Sequence, residues 1–423
     1  MNLLVKQSRL QGEVRIPASK SHTIRAVVIA SLAEGRSVLR NPLDSMDSQA
    51  SINACRALGA KIEQKNEWVI EGFGGKPKTP ASEINLMNSG TSTNMIAGLA
   101  AHTKGPVILT GDKSLRGRPF GPITKALNDL GAKAECTNSD GCLPLKIEGF
   151  LKGGFTEIDG LNSQPVSSLL INSAVAKGDT EIKVVNFHEQ SYVKMTMQWL
   201  NQQGISYSEK NMEKFTIKGG QSFKPFDKEI PADFSSATFP LCAAAVLPES
   251  EVLLKGLDMN DAQGDKAVVG MLEKMGAKIE VSVEGIRVFG GQLHGIELDL
   301  DDTPDALPAL AVVGCFAEGE TRLVNVAQAR IKETDRISAM AVELKKMGAD
   351  IEELEDGLVI RKSVLNGTEV DGRNDHRLVM ALSIAGMNAS GTTSIKTAES
   401  VKVTFPTFVE LMKGLGANME LSE

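Results

Sequence analysis

Six glycines recur at nearly constant spacing, in ALGAKIE, DLGAKAE, QQGISYSE, KMGAKIE, KMGADIE and GLGANME, at Gly59, Gly131, Gly204, Gly276, Gly348 and Gly416. The intervals are 72, 73, 72, 72 and 68 residues. Each glycine ends an amphipathic stretch and precedes an extended one. That order predicts a helix closed by a left-handed residue that turns into a strand. A period this long means repeated supersecondary units.

A second register runs beside the first. Polar residues open apolar stretches at Ser19, Asn88, Asn162, Asp233, Asp305 and Asp375, in segments such as NSGTSTNMIAGLA and DFSSATFPLCAAAV. Ser, Asn and Asp are N-cap residues, and a helix apolar on all sides is buried. Capping is therefore the expected role of Asn88, Asn162, Asp233 and Ser235. Short Gly- or Glu-containing turns then lead into β-branched strands. One unit holds a buried helix, an amphipathic helix and about four strands. Six units fill the chain, and two groups of three give bodies of ordinary domain size. The expectation is an α/β protein of two similar domains, residues 20–231 and residues 1–19 plus 232–423. Six helix N-termini facing one another across a cleft would bind anions.

The charge balance agrees with a small-molecule ligand. The chain carries 46 basic and 53 acidic residues, net -7, which argues against general affinity for nucleic acid or anionic lipid. No apolar run is long enough to span a bilayer, and MNLLVKQSRL lacks the apolar core of a signal peptide, so a cytoplasmic protein is expected. The five cysteines form no CxxC pair and the five histidines no HxxxH or HExxH spacing, so neither disulfides nor a metal is indicated.

Some residues break the capping rule. Lys20, Lys332, Arg336 and Arg377 place cations at positive helix ends, where they destabilise unless an anion lies between them. Arg25 sits one turn inside an apolar helix and calls for a carboxylate or phosphate partner. Arg118 in SLRGRPFGP and Lys402 in VKVTFP stand before further helices. Among these cations, Asp305 and Glu333 are carboxylates able to accept and donate protons.

PASKSHTIR, NSGTS, the Arg118-Pro119 pair, NSQ at Asn162, DFSSA, QGD at Gln263, PDA at Pro304, KETDR, NDHR and KVTFP follow in this order across nearly the whole chain. Together they resemble the motifs of the 5-enolpyruvylshikimate-3-phosphate synthase family. The resemblance implies two domains of three βαβαββ units each, an inside-out α/β barrel-like clamp that closes over its substrates. It implies transfer of the carboxyvinyl group of phosphoenolpyruvate to the 5-hydroxyl of shikimate 3-phosphate, in aromatic amino acid biosynthesis, by a monomer with neither cofactor nor metal.

By the same resemblance, Lys20, Gly90, Arg118, Gln164, Arg336, Arg377 and Lys402 bind phosphoenolpyruvate. Ser21, Arg25, Asn162, Ser163, Gln164, Asp305 and Lys332 bind the acceptor, and Lys20, Asp305 and Glu333 are catalytic. Competitive inhibition by glyphosate is expected beside Gly90. The chain departs from the family pattern at Asn94, usually Arg, and at Asn162-Ser163, usually a Ser pair. It departs again at Glu189-Gln190, usually Ser and a basic residue, and at Gln328, usually Asn. The acceptor's 3-phosphate pocket thus loses hydroxyls and a cation and gains a carboxylate. The alternative is a carboxyvinyl transferase of the same mechanism with a different cyclic alcohol, phosphorylated or not, as acceptor. A non-catalytic anion- or RNA-end-binding protein on a related repeat is a second.

Overall fold

In the computed structural model, which describes residues 1–138 and 140–422, all six repeat glycines have positive φ, between 70° and 109°. At the first of them Gly59 N–H donates to Arg56 O and Ala60 N–H to Cys55 O. These bonds satisfy the last carbonyls of the helix and aim the chain into Lys61–Gln64. A side chain there would strain the backbone, so the repeated glycine follows from the turn.

The third repeat shows the unit plainly. Strand Gly154–Asp159 leads through the buried helix Ser163–Ser173 to the parallel strand Thr180–Val185. The amphipathic helix Gln190–Gln203 follows, and the hairpin Tyr207–Lys210 with Lys214–Ile217 returns antiparallel to the same sheet. Six such four-stranded sheets form among the described residues, and none closes into a barrel. Three strands come from distant parts of the chain. Asn2–Lys6 lies between Thr392–Lys396 and Asn418–Ser422, Gln11–Arg15 beside Glu251–Lys255, and Asp227–Glu229 beside Glu34–Arg40. The chain accordingly divides into two compact units, Ala18–Ile230 and Met1–Pro17 with Pro231–Glu423.

The buried helices are Lys20–Leu32, Gly90–Ala100 and Ser163–Ser173 in the first of these units, and Phe234–Val246, Leu307–Phe316 and His376–Asn388 in the second. Gly98 lets two of them approach: a Cβ there would lie 2.2 Å from Asn172 Nδ2. No described helix is long and apolar enough to cross a membrane.

His102, just beyond the second buried helix, is buried, and burial pushes its pKa down to about 4 against a backbone bond with Asn172. Above the ordinary histidine value of about 6.5 it is neutral whether folded or unfolded. Between there and pH 4 only the unfolded chain takes up the proton, so stability falls with pH by roughly 3 kcal/mol. His102→Gln is expected to abolish that part of the loss when thermal midpoints at pH 7 and pH 4.5 are compared with wild type. An equal fall in the variant would assign the acid sensitivity elsewhere.

Candidate functional site

Ser19 caps the first buried helix, its Oγ accepting from His22 N–H at 3.4 Å. Lys20, the next residue, is a cation at a positive helix end, and its ammonium lies 3.3 Å from Asp47 Oδ2. Asp47 is buried in the first turn of the helix Met46–Ala57. Arg25 is only 2% exposed and meets no carboxylate among the described residues. Its Nε donates to Thr196 Oγ1 at 2.8 Å and Nη1 to Ser21 O at 3.0 Å, while Nη2 donates to Ser167 Oγ at 3.3 Å and Tyr192 O at 3.0 Å. Burial lowers its pKa to about 10, with the Tyr192 side chain opposing. One of the five guanidinium N–H groups, on Nη1, is left for a ligand.

At the second buried helix the cap is Ser89, not Asn88, because Ser89 Oγ stands three residues before the Ser92 N–H that it accepts. Asn88 instead accepts from Arg118 Nη2 at 2.7 Å and donates to Asp112 Oδ2 at 2.8 Å. Gly90 gives Arg118 its room: a Cβ there would lie 3.2 Å from Arg118 Nη1 and 3.5 Å from Gln164 Oε1. Asn162 caps the third buried helix through Gln164 N–H at 3.0 Å. Beside it Glu189, 1% exposed with φ of 53°, accepts from Ser163 Oγ at 2.9 Å. Its carboxylate stands where that helix presents its positive end.

The other unit gathers a denser set. Arg336 opens the helix Arg336–Lys346 and is 1% exposed. Its Nη1 reaches Asp305 Oδ1 at 2.7 Å, its Nη2 Glu333 Oε2 at 2.6 Å and its Nε Asp375 Oδ2 at 2.8 Å. Burial disfavours that charge, yet Asp375, Glu333 and Asp305 hold the guanidinium above its ordinary pKa. Burial raises Asp375 in turn, against the pull of Arg336. Asp375 also caps the last buried helix through Arg377 N–H at 2.8 Å. Arg377 Nη2 lies 2.8 Å from the second Asp305 oxygen and 2.7 Å from Ser235 Oγ. Ser235 is thus a partner of Arg377, and Asp233 alone caps its helix, through Ser236 N–H.

Asp305 is not itself a cap but lies within the 3-10 turn Pro304–Ala306 that leads into Leu307–Phe316. Lys332 directly precedes Glu333 and closes the 3-10 turn Ala327–Ile331. Lys402 is exposed on the turn Ala398–Val403, where its charge acts on Glu399 and makes no bond with the Arg336 cluster. Gln328 is fully buried and donates to Asp301 O.

The expected residues therefore assemble as Lys20, Ser21 and Arg25 on one helix, Gly90, Arg118 and Gln164 around a second, and Asp305, Glu333, Arg336 and Arg377 around a third point. The sequence did not point to Asp47, nor to Asp375 as more than a cap. An acidic residue in a first helical turn reads as a complement to the dipole, and a partner 39 positions away leaves no local trace. Among the described residues no group of three or more His, Cys, Asp or Glu could hold a metal ion.

Comparison with known proteins gives a consistent picture. Residues 4–412 match the family model for EPSP synthase (3-phosphoshikimate 1-carboxyvinyltransferase). A 3-phosphoshikimate 1-carboxyvinyltransferase of Acetivibrio thermocellus is 52% identical, with all of both chains covered. Among solved structures, EPSP synthase from Acinetobacter baumannii superposes with a TM-score of 0.85 at 31% identity over the whole of both chains. The enolpyruvyl transferase NikO from Streptomyces tendae, at 19% identity and a TM-score of 0.80 over 99% of this chain and 98% of its own, shares the fold.

Proposed function

Because the chain belongs to the EPSP synthase (3-phosphoshikimate 1-carboxyvinyltransferase) family, we propose that it transfers the carboxyvinyl group of phosphoenolpyruvate to the 5-hydroxyl of shikimate 3-phosphate and releases phosphate. The observation that carries this reading is the Asp305, Glu333, Arg336 and Arg377 cluster. In it, two carboxylates able to move protons are fixed against two guanidinium groups able to hold an anion.

The acceptor hydroxyl oxygen bonds to C2 of phosphoenolpyruvate while C3 gains a proton, which leaves a tetrahedral intermediate that still carries phosphate. Loss of phosphate from C2 and of a proton from C3 restores the double bond. Asp305 takes the hydroxyl proton with the help of Lys332, and Glu333 with Lys20 serves the proton at C3. Lys20, Arg118, Arg336, Arg377 and Lys402, with Gln164 and the Gly90 backbone, hold the charges of phosphoenolpyruvate. Ser21, Arg25, Asn162, Ser163 and Gln164 hold the acceptor. Arg25 serves there as a charge with a single N–H, not as a bidentate fork, because its other donors are already used. The steps are an addition, proton transfers and an elimination, so no cofactor is assigned. The enzyme is taken as a cytoplasmic monomer whose partners are small anions.

Phosphate release from phosphoenolpyruvate by purified protein tests the reading, first with shikimate 3-phosphate and then with shikimate. Release with the phosphorylated acceptor is expected. Release with shikimate alone would select the second reading, an unphosphorylated cyclic alcohol.

One observation favours that second reading: the buried Glu189 carboxylate already occupies Ser163, where the resemblance puts the acceptor's 3-phosphate. Two like charges at such spacing repel by kilocalories in a partly buried site. Under the leading reading, Glu189→Ser is expected to lower KM for shikimate 3-phosphate roughly ten-fold, with KM for phosphoenolpyruvate unchanged. An unchanged or higher KM for shikimate 3-phosphate would reduce Glu189 to a helix-capping group.

A further inference from the structure

Asn94, on the second buried helix, is 3% exposed. Its Nδ2 spends both hydrogens, on Gly90 O at 3.1 Å and on Gln164 Oε1 at 3.1 Å. Its Oδ1 is buried with no hydrogen-bond partner among the described residues. The backbone is pinned as well, since Asn94 O accepts from Ser168 Oγ at 2.6 Å. A leucine has the same branching and number of side-chain heavy atoms and would bury no unpaired oxygen, so packing alone does not account for an amide here.

What the amide does is set the polarity of Gln164. With Oε1 taken by Asn94, the Gln164 side chain has only its Nε2 hydrogens left to offer, and no described protein group takes them. The inverted amide would set Nε2 against Asn94 Nδ2, donor against donor. Gln164 Oε1 and Arg118 Nη1 both lie next to Gly90, so the free Nε2 donors and a guanidinium serve one small region. With Oε1 already bonded to Asn94, the Gln164 amide adds N–H donors to the positive charge of Arg118 there, the pattern that suits a carboxylate or phosphate.

We propose that Asn94 is a positioning residue for phosphoenolpyruvate, which locks the Gln164 amide with Nε2 toward the bound anion. The proposal rests on the reading above for the identity of the anion. Where the family usually places a guanidinium, this chain orients a neighbouring amide instead.

Asn94→Leu removes both the lock and the unpaired oxygen. It is expected to leave the thermal midpoint unchanged or raised, and to raise KM for phosphoenolpyruvate roughly ten-fold with kcat within about two-fold of wild type and a smaller rise in KM for shikimate 3-phosphate, because Gln164 is also assigned to the acceptor. Asn94→Asp keeps the shape but accepts from Gln164 Nε2 and turns Oε1 toward the anion, so its KM for phosphoenolpyruvate should rise further. In a Gln164→Ala background, Asn94→Leu should add less than about two-fold, because both changes remove one interaction. The proposal fails if the two changes multiply, if KM for phosphoenolpyruvate does not move, or if KM for both substrates rises alike. Calorimetric titration of phosphoenolpyruvate into the same four proteins reads the cycle without turnover. Absence of turnover in wild type would then count against the assigned reaction, while the binding cycle would still decide the role of Asn94.

Discussion

Replacing Arg336 with methionine is expected to destabilise the unit that contains it by about 3–5 kcal/mol. Three carboxylates converge on this one buried guanidinium, from Asp305, Glu333 and Asp375. Methionine restores much of the volume and none of the charge. Arg377 still compensates Asp305, but Asp375, fully buried, loses its main counterion. Burial already raises Asp375 above the usual carboxylate range, and Arg336 is what holds it down.

Without Arg336 the folded protein binds that proton more tightly than the unfolded chain does. The deficit is then largest at neutral pH and shrinks as pH falls toward the ordinary aspartate value of about 3.9. Urea midpoints at pH 7.5 and pH 5 measure this, and Arg336→Met with Asp375→Asn should recover part of the loss. A deficit below about 1 kcal/mol that does not change with pH would mean that the carboxylates find other compensation. Activity should disappear with the arginine in either background, because the assigned grip on phosphoenolpyruvate goes with it.

How far this site was legible in the sequence depends on the range of each signal. Helix ends are local events, so the six glycines and the caps at Ser19, Asn162, Asp233 and Asp375 stand in the sequence as they do in the structure. Asn88 and Ser235 read as caps because their residue types suit the position. Each is instead taken by an arginine 30 or 142 positions away, and local preference carries no information about that. Strand exchange is nonlocal too: nothing in NLLVK announces that it pairs with Thr392–Lys396. The misplaced cations at Lys20, Arg336 and Arg377 did announce a need for anions. The structure supplies some of those anions from Asp47, Asp305, Glu333 and Asp375, so a cation at a helix end marks a charge network before it marks a ligand. Arg25 is the reverse case, a buried cation that finds only neutral acceptors among the described residues.

Asp305→Asn should separate the structural task of that carboxylate from its chemical one. Both oxygens of Asp305 are engaged, one with Arg336 and one with Arg377, and a carboxylate oxygen that accepts one hydrogen bond still has a second lone-pair site for a proton. Asparagine keeps the size and one acceptor, and Arg336 retains Glu333 and Asp375, so only a modest loss of stability is expected. If Asp305 takes the proton of the acceptor hydroxyl, kcat should fall by about 100- to 10,000-fold while KM for phosphoenolpyruvate changes little. Glu333→Gln should produce a fall of similar size by a different route. In deuterated water, solvent deuterium would then no longer enter C3 of phosphoenolpyruvate, because the group that serves that carbon is gone. Asp305→Asn should keep whatever C3 exchange the bound substrates still undergo. A kcat within about three-fold of wild type for Asp305→Asn would make Asp305 a counterion for two arginines and nothing more. The proton of the hydroxyl would then fall to Glu333, which binds the other terminal nitrogen of the same guanidinium.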